Sequence, residues 1–203
     1  MNNADFYDDI VKIILVGDSF AGKTSIASVY TDGLFPYEYM ETIGVEYHIK
    51  LFDYKKRRIK VCIWDTSGKP KYRSIIRKYY LDAELFVLVF DLQNNDIINK
   101  IDRWLDEIIN IRQDMKRTDI IIIGNKIDAN IENTDISSTI SVRTGNIVYE
   151  TCVVDKKNID EIFNQMVIKI LQSRKSFSNS FNNHPSKSQR RYSNYSCSNC
   201  TLI

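Results

Sequence analysis

Short, continuous apolar runs alternate along this chain with segments whose apolar residues recur every three to four positions. The first run, Ile10–Val16, contains one charged residue, Lys12, and predicts a buried strand. Glu84–Asp91 and Asp119–Gly124 are apolar without alternation, as strands covered on both faces are, and Ile147–Tyr149 is a shorter run of the same kind. Val45–Phe52 and Ile59–Trp64 flank the charged segment Asp53–Arg58, which predicts a hairpin with a solvated tip. Helical spacing governs Asp96–Gln113, through Ile97, Ile101, Trp104, Leu105, Ile108 and Ile111. It returns in Asn158–Leu171, through Ile159, Ile162, Phe163, Met166, Val167 and Ile170, with Lys157 or Asn158 near the N-cap. Strands alternating with helices predict an α/β three-layer sandwich. Its sheet would have about six strands, mostly parallel with one antiparallel, and helices on both faces.

The connection between the first strand and the next helical segment carries the clearest chemistry. Gly17-Asp18-Ser19-Phe20-Ala21-Gly22-Lys23-Thr24 fits G-x-x-x-x-G-K-[ST] between a strand and a helix starting near Thr24, the context that makes this pattern a phosphate-binding loop (P-loop). Glycines let successive backbone N–H groups turn inward on a phosphate, and the helix N-terminus adds a favourable dipole. Lys23 can reach the outer phosphates, and the Thr24 hydroxyl can hold Mg²⁺. The expected fold is thus the P-loop NTPase version of the sandwich, with ligands beyond the carboxyl ends of the strands.

Two further motifs stand at such ends. Asp65-Thr66-Ser67-Gly68 closes the second hairpin strand, where the carboxylate is placed to hold Mg²⁺ indirectly and Gly68 lets its N–H approach a γ-phosphate. Asn125-Lys126-Ile127-Asp128 follows the run ending at Gly124. Asp128 can accept two hydrogen bonds from the donors of a guanine edge, a pair adenine does not present, and an unpaired buried group discriminates strongly. Lys126 would lie along the base and Asn125 would tie this loop to the P-loop.

Composition narrows the class. The chain has 203 residues, enough for one sizeable core and a tail, and its 28 Lys plus Arg against 26 Asp plus Glu leave a formal charge of +2. That near-balance gives no argument for nucleic acid. No run approaches the roughly 18 apolar residues of a membrane-spanning helix, and Met1–Asp9 lacks the features of a signal peptide. A cytosolic setting with reduced thiols is the expectation. Cys62 and Cys152 adjoin apolar runs and are expected in the core, whereas Cys197 and Cys200 lie in the C-terminal tail. Cys197-x-x-Cys200 has the spacing of half a metal site, but no second pair stands near it in sequence. From Ser173 to Cys200 the chain is rich in Ser and Asn and contains no Asp or Glu, which predicts a flexible linker. The predicted division is a nucleotide-binding domain at 8–173 and a tail at 174–203.

The ordered set G-x-x-x-x-G-K-T, Thr42, D-x-x-G and N-K-x-D resembles the Ras superfamily of small GTPases over about residues 8–173, closest to Rab proteins. Thr42-Ile-Gly-Val-Glu-Tyr47, Lys60-Val-Cys-Ile-Trp-Asp-Thr66, Tyr72-Arg-Ser-Ile75 and Tyr79-Tyr80 carry the Rab likeness. The resemblance implies a GTP/GDP- and Mg²⁺-dependent switch. Gly17 to Thr24, Ser25, Asp65, Gly68, Asn125, Lys126 and Asp128 would bind the nucleotide, and Thr24, Thr42 and Asp65 the metal. Phe35 would pack on the guanine, and Thr42 would sense Mg²⁺ and the γ-phosphate in switch I, the first of the family's two nucleotide-sensing segments. Met40, Glu41, Thr42, Ile43, Gly44, Val45, Glu46 and Tyr47 would face effectors. Glu150–Val154 takes the place of the last base-binding loop, usually E-T-S-A-K, so that Cys152 and Val153 would contribute backbone groups. The partners implied are effectors, an exchange factor, a GTPase-activating protein and a dissociation inhibitor, acting on a monomer in vesicle traffic.

Three departures qualify the likeness. Lys69 follows Gly68 where the family has the glutamine that orients the attacking water, so Lys23, Thr42 and Gly68 would retain catalytic roles beside an altered Lys69. Lysine donates but does not accept hydrogen bonds, which predicts slow hydrolysis; the alternatives are a glutamine supplied by a partner, or a GTP-binding, effector-recruiting module with negligible turnover. A P-loop nucleotide kinase is a further rival, against which Asn125–Asp128 speaks. Phe20 is bulky for a phosphate loop and would either edge a lid or alter exchange. The stretch from Asp128 to Glu150 is short, with its helix reduced to about Ile136–Arg143. Finally, Cys200-Thr-Leu-Ile203 fits C-a-a-X. A prenyl group at Cys200, supported by Cys197 or by basic residues from Lys187 to Arg191, would anchor the protein to the cytoplasmic face of an intracellular membrane.

Overall fold

The computed structural model describes residues 6–38, 40–94, 96–128 and 136–181. Strand β1 (Asp9–Val16) lies at the centre of a six-stranded sheet ordered β2-β3-β1-β4-β5-β6, with β2 Val45–Tyr54, β3 Arg57–Thr66, β4 Leu85–Asp91, β5 Ile121–Asn125 and β6 Val148–Thr151. Every neighbouring pair is parallel except β2 with β3. The mostly parallel sheet with one antiparallel strand is therefore the one the pattern predicts.

Helices α1 (Lys23–Asp32), α2 (Arg73–Tyr80), α3 (Ile97–Ile111) and α4 (Ile136–Thr144) connect the strands, and α5 (Ile159–Phe181) follows β6. Ile14 and Val16 of β1 join Phe86, Leu88 and Phe90 of β4 in one core with Ile76 and Tyr80 of α2, Trp104 and Leu105 of α3, and Ile140 of α4. Successive residues of a strand point to opposite faces, so Ile13 and Leu15, both fully buried, belong to the other side. On the α1 and α5 side, Tyr30 stacks on Phe163 with ring centroids 4.6 Å apart. Burial on both faces explains why β1 and β4 are apolar without alternation.

Several boundaries differ from the sequence reading. The β2–β3 turn is two residues, Lys55 and Lys56, both with positive φ (49° and 62°), because the strands pair from Tyr54↔Arg57 onward. Asp119 belongs to a short 3₁₀ turn, Arg117–Asp119, and the strand begins at Ile121. Helix α2 carries only two buried residues, Ile76 and Tyr80, too few for a periodic signal. The correction of most consequence is α5, which runs to Phe181 instead of ending at Leu171, so the start of the Ser/Asn-rich segment is helical and not a linker. Extending an existing helix costs far less than nucleating one, so polar residues can continue it. The chain divides into two compact units, Met1–Ile170 and Leu171–Ile203, the second described only as the end of α5. Cys197, Cys200 and the basic residues Lys187–Arg191 lie outside the described residues. No helix among the described residues is long and apolar enough to cross a membrane.

Candidate nucleotide site

The carboxyl ends of β1, β3, β5 and β6 open on a cleft of about 590 Å³. Its walls include Ser19, Phe20, Gly22, Lys23, Thr24, Ser25, Phe35, Thr42, Gly68, Asn125, Lys126, Asp128 and Val153. Met40, Glu41 and Glu46 line it too, as do Ser67 and Val154 of the motifs quoted above. Pro36, Tyr37 and Glu38, which the sequence reading did not single out, complete the wall; their signal was their position between Phe35 and Thr42.

The loop after β1 owes its shape to glycine. Gly17 has φ +138°, and a Cβ there would overlap the Val89 carbonyl. Gly22 has φ +93°, precedes α1, and accepts the Ile26 N–H at 2.9 Å. Phe20 takes φ 67° as a non-glycine residue and is 65% exposed. Asp18 sends its carboxylate away toward α3, accepting from the Trp104 indole at 3.0 Å and pairing with Lys100 at 3.4 Å. Its backbone carbonyl stays in the loop.

Lys23 is buried, with Nζ 3.0 Å from the Gly17 carbonyl and 2.7 Å from that of Asp18. Burial lowers its pKa to about 8, against the opposing charges of Asp65 and Asp18. An ammonium in so dry a place calls for an anion nearby. Beside it the Thr24 and Thr42 hydroxyls stand 2.8 Å apart, and both donate to Asp65 Oδ2, at 2.6 and 3.2 Å. Burial pushes the Asp65 carboxyl above its ordinary range, opposed by the Thr24 hydrogen bond and the Lys23 charge. Asp65 Oδ1 is buried without a partner.

These residues fit Mg²⁺. The donors are hard oxygens, and adjacent ligands of an octahedral ion at 2.0–2.1 Å lie about 2.9 Å apart, close to the hydroxyl spacing here. Gly68 approaches the same corner so tightly that a Cβ would overlap the backbone of Asp18 and Ser19.

The other end of the cleft is organised by Asn125. Its Nδ2 donates to the Ala21 carbonyl at 3.0 Å, and its Oδ1 accepts from Thr151 at 3.2 Å, so one buried amide joins the P-loop, β5 and β6. Lys126 has φ 67° and its Nζ pairs with Asp91 at 2.7 Å. Asp91, the last residue of β4, is a partner the sequence reading missed; its only signal was its place at the end of an apolar run. Asp128 is exposed at the cleft. Cys152 is buried with its thiol 3.3 Å from Asp155, so it does not line the cleft, while neighbouring Val153 does.

Lys69 lies at the other side of Gly68, where its ammonium pairs with Glu41 at 2.5 Å. Met40, Ile43 and Tyr47 are exposed apolar residues, and Gly44 (φ +73°) accepts the Ser67 N–H at 2.9 Å.

A family model described as the Ras family matches residues 12–172. Similar proteins include Ras-related protein Rab-26 of Rattus norvegicus, 32% identical over 174 residues, 83% of this chain and 66% of that protein. Ras-related protein Rab-3C of Bos taurus is 30% identical over 164 residues, 79% of this chain and 71% of its own. GTP-binding protein yptV2 of Volvox carteri is 31% identical over 161 residues, 77% and 73% of the two chains. The chain spans 66% of the rat Rab-26 and 49% of the Rab-26 of Mus musculus. With its fold, its cleft and this likeness in agreement, the chain belongs to the Ras family, close to the Rab proteins.

Proposed function

We propose that this protein is a Rab-type guanine-nucleotide switch that binds Mg²⁺–GTP and GDP, hydrolyses GTP slowly, and recruits effectors on an intracellular membrane. The observation that carries the reading is the convergence of buried Lys23 with the Thr24–Thr42–Asp65 cluster at one end of a cleft whose other end is held by Asn125. Lys23 would neutralise phosphate oxygens, and the turned backbone of Gly17–Gly22 would present N–H groups to them. Asp128 would accept from the guanine edge, with Phe35, Lys126 and Val153 around the base, while Cys152, turned away from the cleft, supports that loop from behind. Thr24, Thr42 and Asp65 would hold Mg²⁺, which when bound supplies charge that stabilises the transferring phosphoryl group. Because Thr42 and Gly68 sit on segments flanking that end, their order would report the γ-phosphate to the surface from Met40 to Tyr47.

Lys69 sets the rate in this reading. Its ammonium, paired with Glu41, has no lone pair to align an attacking water. That same pair favours the second reading, a GTP-binding module with negligible turnover. Exchange factors, an activating protein and a dissociation inhibitor are the partners proposed, with Cys200 as the prenyl site and Cys197 as a second one.

Nucleotide content tests the core of the reading. Protein purified without added nucleotide, denatured and separated by ion-exchange chromatography, is expected to release close to one guanine nucleotide per chain. Adenine nucleotide, or none, would sink it. A high GTP fraction favours the second reading, and mostly GDP favours turnover.

A further inference from the structure

Strand β2 pairs with β3 so that Glu46 lies directly opposite Asp65 and His48 opposite Ile63. Two residues apart on one strand, Glu46 and His48 share a face. Glu46, His48 and Asp65 each offer a ligand atom, and these atoms lie within 4.8 Å of one another.

Three observations distinguish this cluster from an ordinary polar edge. Like charges directly opposite on neighbouring strands are unfavourable, yet no lysine or arginine pairs with Glu46 among the described residues. His48 Nε2 is shielded from solvent and has no hydrogen-bond partner. Asp65 is fully buried, and with Oδ2 taken by both threonines, Oδ1 is left without a partner. One cation among the three groups would give the buried His48 and Asp65 atoms a partner and offset the repulsion between the Glu46 and Asp65 carboxylates.

We propose that Glu46, His48 and Asp65 form a second divalent-metal site, separate from the Thr24–Thr42 hydroxyls, that takes a first-row transition metal such as Zn²⁺. The imidazole decides the class: nitrogen beside two carboxylates suits Zn²⁺ and its neighbours, whereas Mg²⁺ and Ca²⁺ prefer oxygen alone. Ligands of tetrahedral zinc at 2.0–2.2 Å stand about 3.4 Å apart, so the cluster closes by little more than an ångström, and exposed Glu46 is free to move inward. Asp65 is common to both groups, so metal at this site draws on the carboxylate that supports Thr24 and Thr42. The site does not depend on which nucleotide the cleft takes.

The test is calorimetric titration of Zn²⁺ into the full chain in excess Mg²⁺. One site per chain is expected, weakened about tenfold or more by His48→Gln and by Glu46→Gln, and unchanged by the Cys197→Ser, Cys200→Ser double variant. The chain has two histidines, so ¹⁵N imidazole spectra of the unmutated protein read His48 directly, with His184→Gln giving the assignment. The His48 resonances are expected to shift as Zn²⁺ is added. Binding that survives His48→Gln, binding lost only with the tail cysteines, no binding, or an unmoved His48 signal would each overturn the proposal.

Discussion

At the scale of single residues, the site depends on atoms that must be present and on atoms that must be missing. Gly17 combines φ +138° with a backbone carbonyl where a Cβ would stand. Gly17→Ala is therefore expected to lower stability by roughly 2–3 kcal/mol, read as a shifted urea midpoint with an unchanged slope. Lys69 is the opposite case, a side chain that is present and that donates hydrogen bonds without accepting them. Under the proposed function, Lys69→Gln is expected to raise the single-turnover GTP hydrolysis rate by roughly tenfold or more, since positioning the water dominates this chemistry. Equal rates in the two proteins would mean that Lys69 does not limit turnover. The glycines and Lys23 were legible from the sequence because a phosphate loop demands those residue types at that spacing. The Lys69–Glu41 pair was not, because 28 positions separate its members and only the fold brings them together.

Among the elements, α2 shows how a helix with a slight apolar stripe is secured. Arg112, just past α3, donates from Nη1 to the Tyr80 carbonyl at 2.8 Å and the Ala83 carbonyl at 2.5 Å. It thereby serves the last carbonyl of α2 and one in the turn that follows, while its remaining nitrogens form two 2.8 Å bonds to Asp114. Arg112→Met is expected to cost about 2 kcal/mol in chemical denaturation, because two carbonyls lose their donor. Asp114 itself is 66% exposed, so its own contribution at pH 7 is small. The Arg112 hydrogen bonds hold its pKa at about 2, below the ordinary 3.8. A depressed carboxylate stabilises the fold above its unfolded pKa and ceases to do so as pH falls through the folded one. The stability difference between the protein and Asp114→Asn is expected to close between pH 3.8 and about 2, measured by urea titration along that range. None of this was legible from periodicity: α2 buries only Ile76 and Tyr80, and its anchor lies on another element.

For the whole molecule, the proposed function links a nucleotide-dependent surface to a membrane. In the proposed reading Cys200 carries the lipid, and incubation with a geranylgeranyltransferase and its lipid donor is expected to add one prenyl mass, absent from Cys200→Ser; an unmodified protein would count against the anchor. The sequence by itself determined the strand order along the chain, the two helical stripes and the three loop motifs whose residues line the cleft. These are local properties: burial on both faces imposes continuous apolar runs, and tight backbone turns impose glycine. Tertiary structure decided which distant groups meet. Lys126 with Asp91, Asp18 with Trp104, and Glu46 with His48 and Asp65 are juxtaposed by sheet pairing and helix packing. Register is the physical reason: a one-residue slip of β2 would turn Glu46 and His48 to the other face of the sheet, and the two-residue turn at Lys55 and Lys56 that sets this register lies inside a charged run where the sequence placed a six-residue tip.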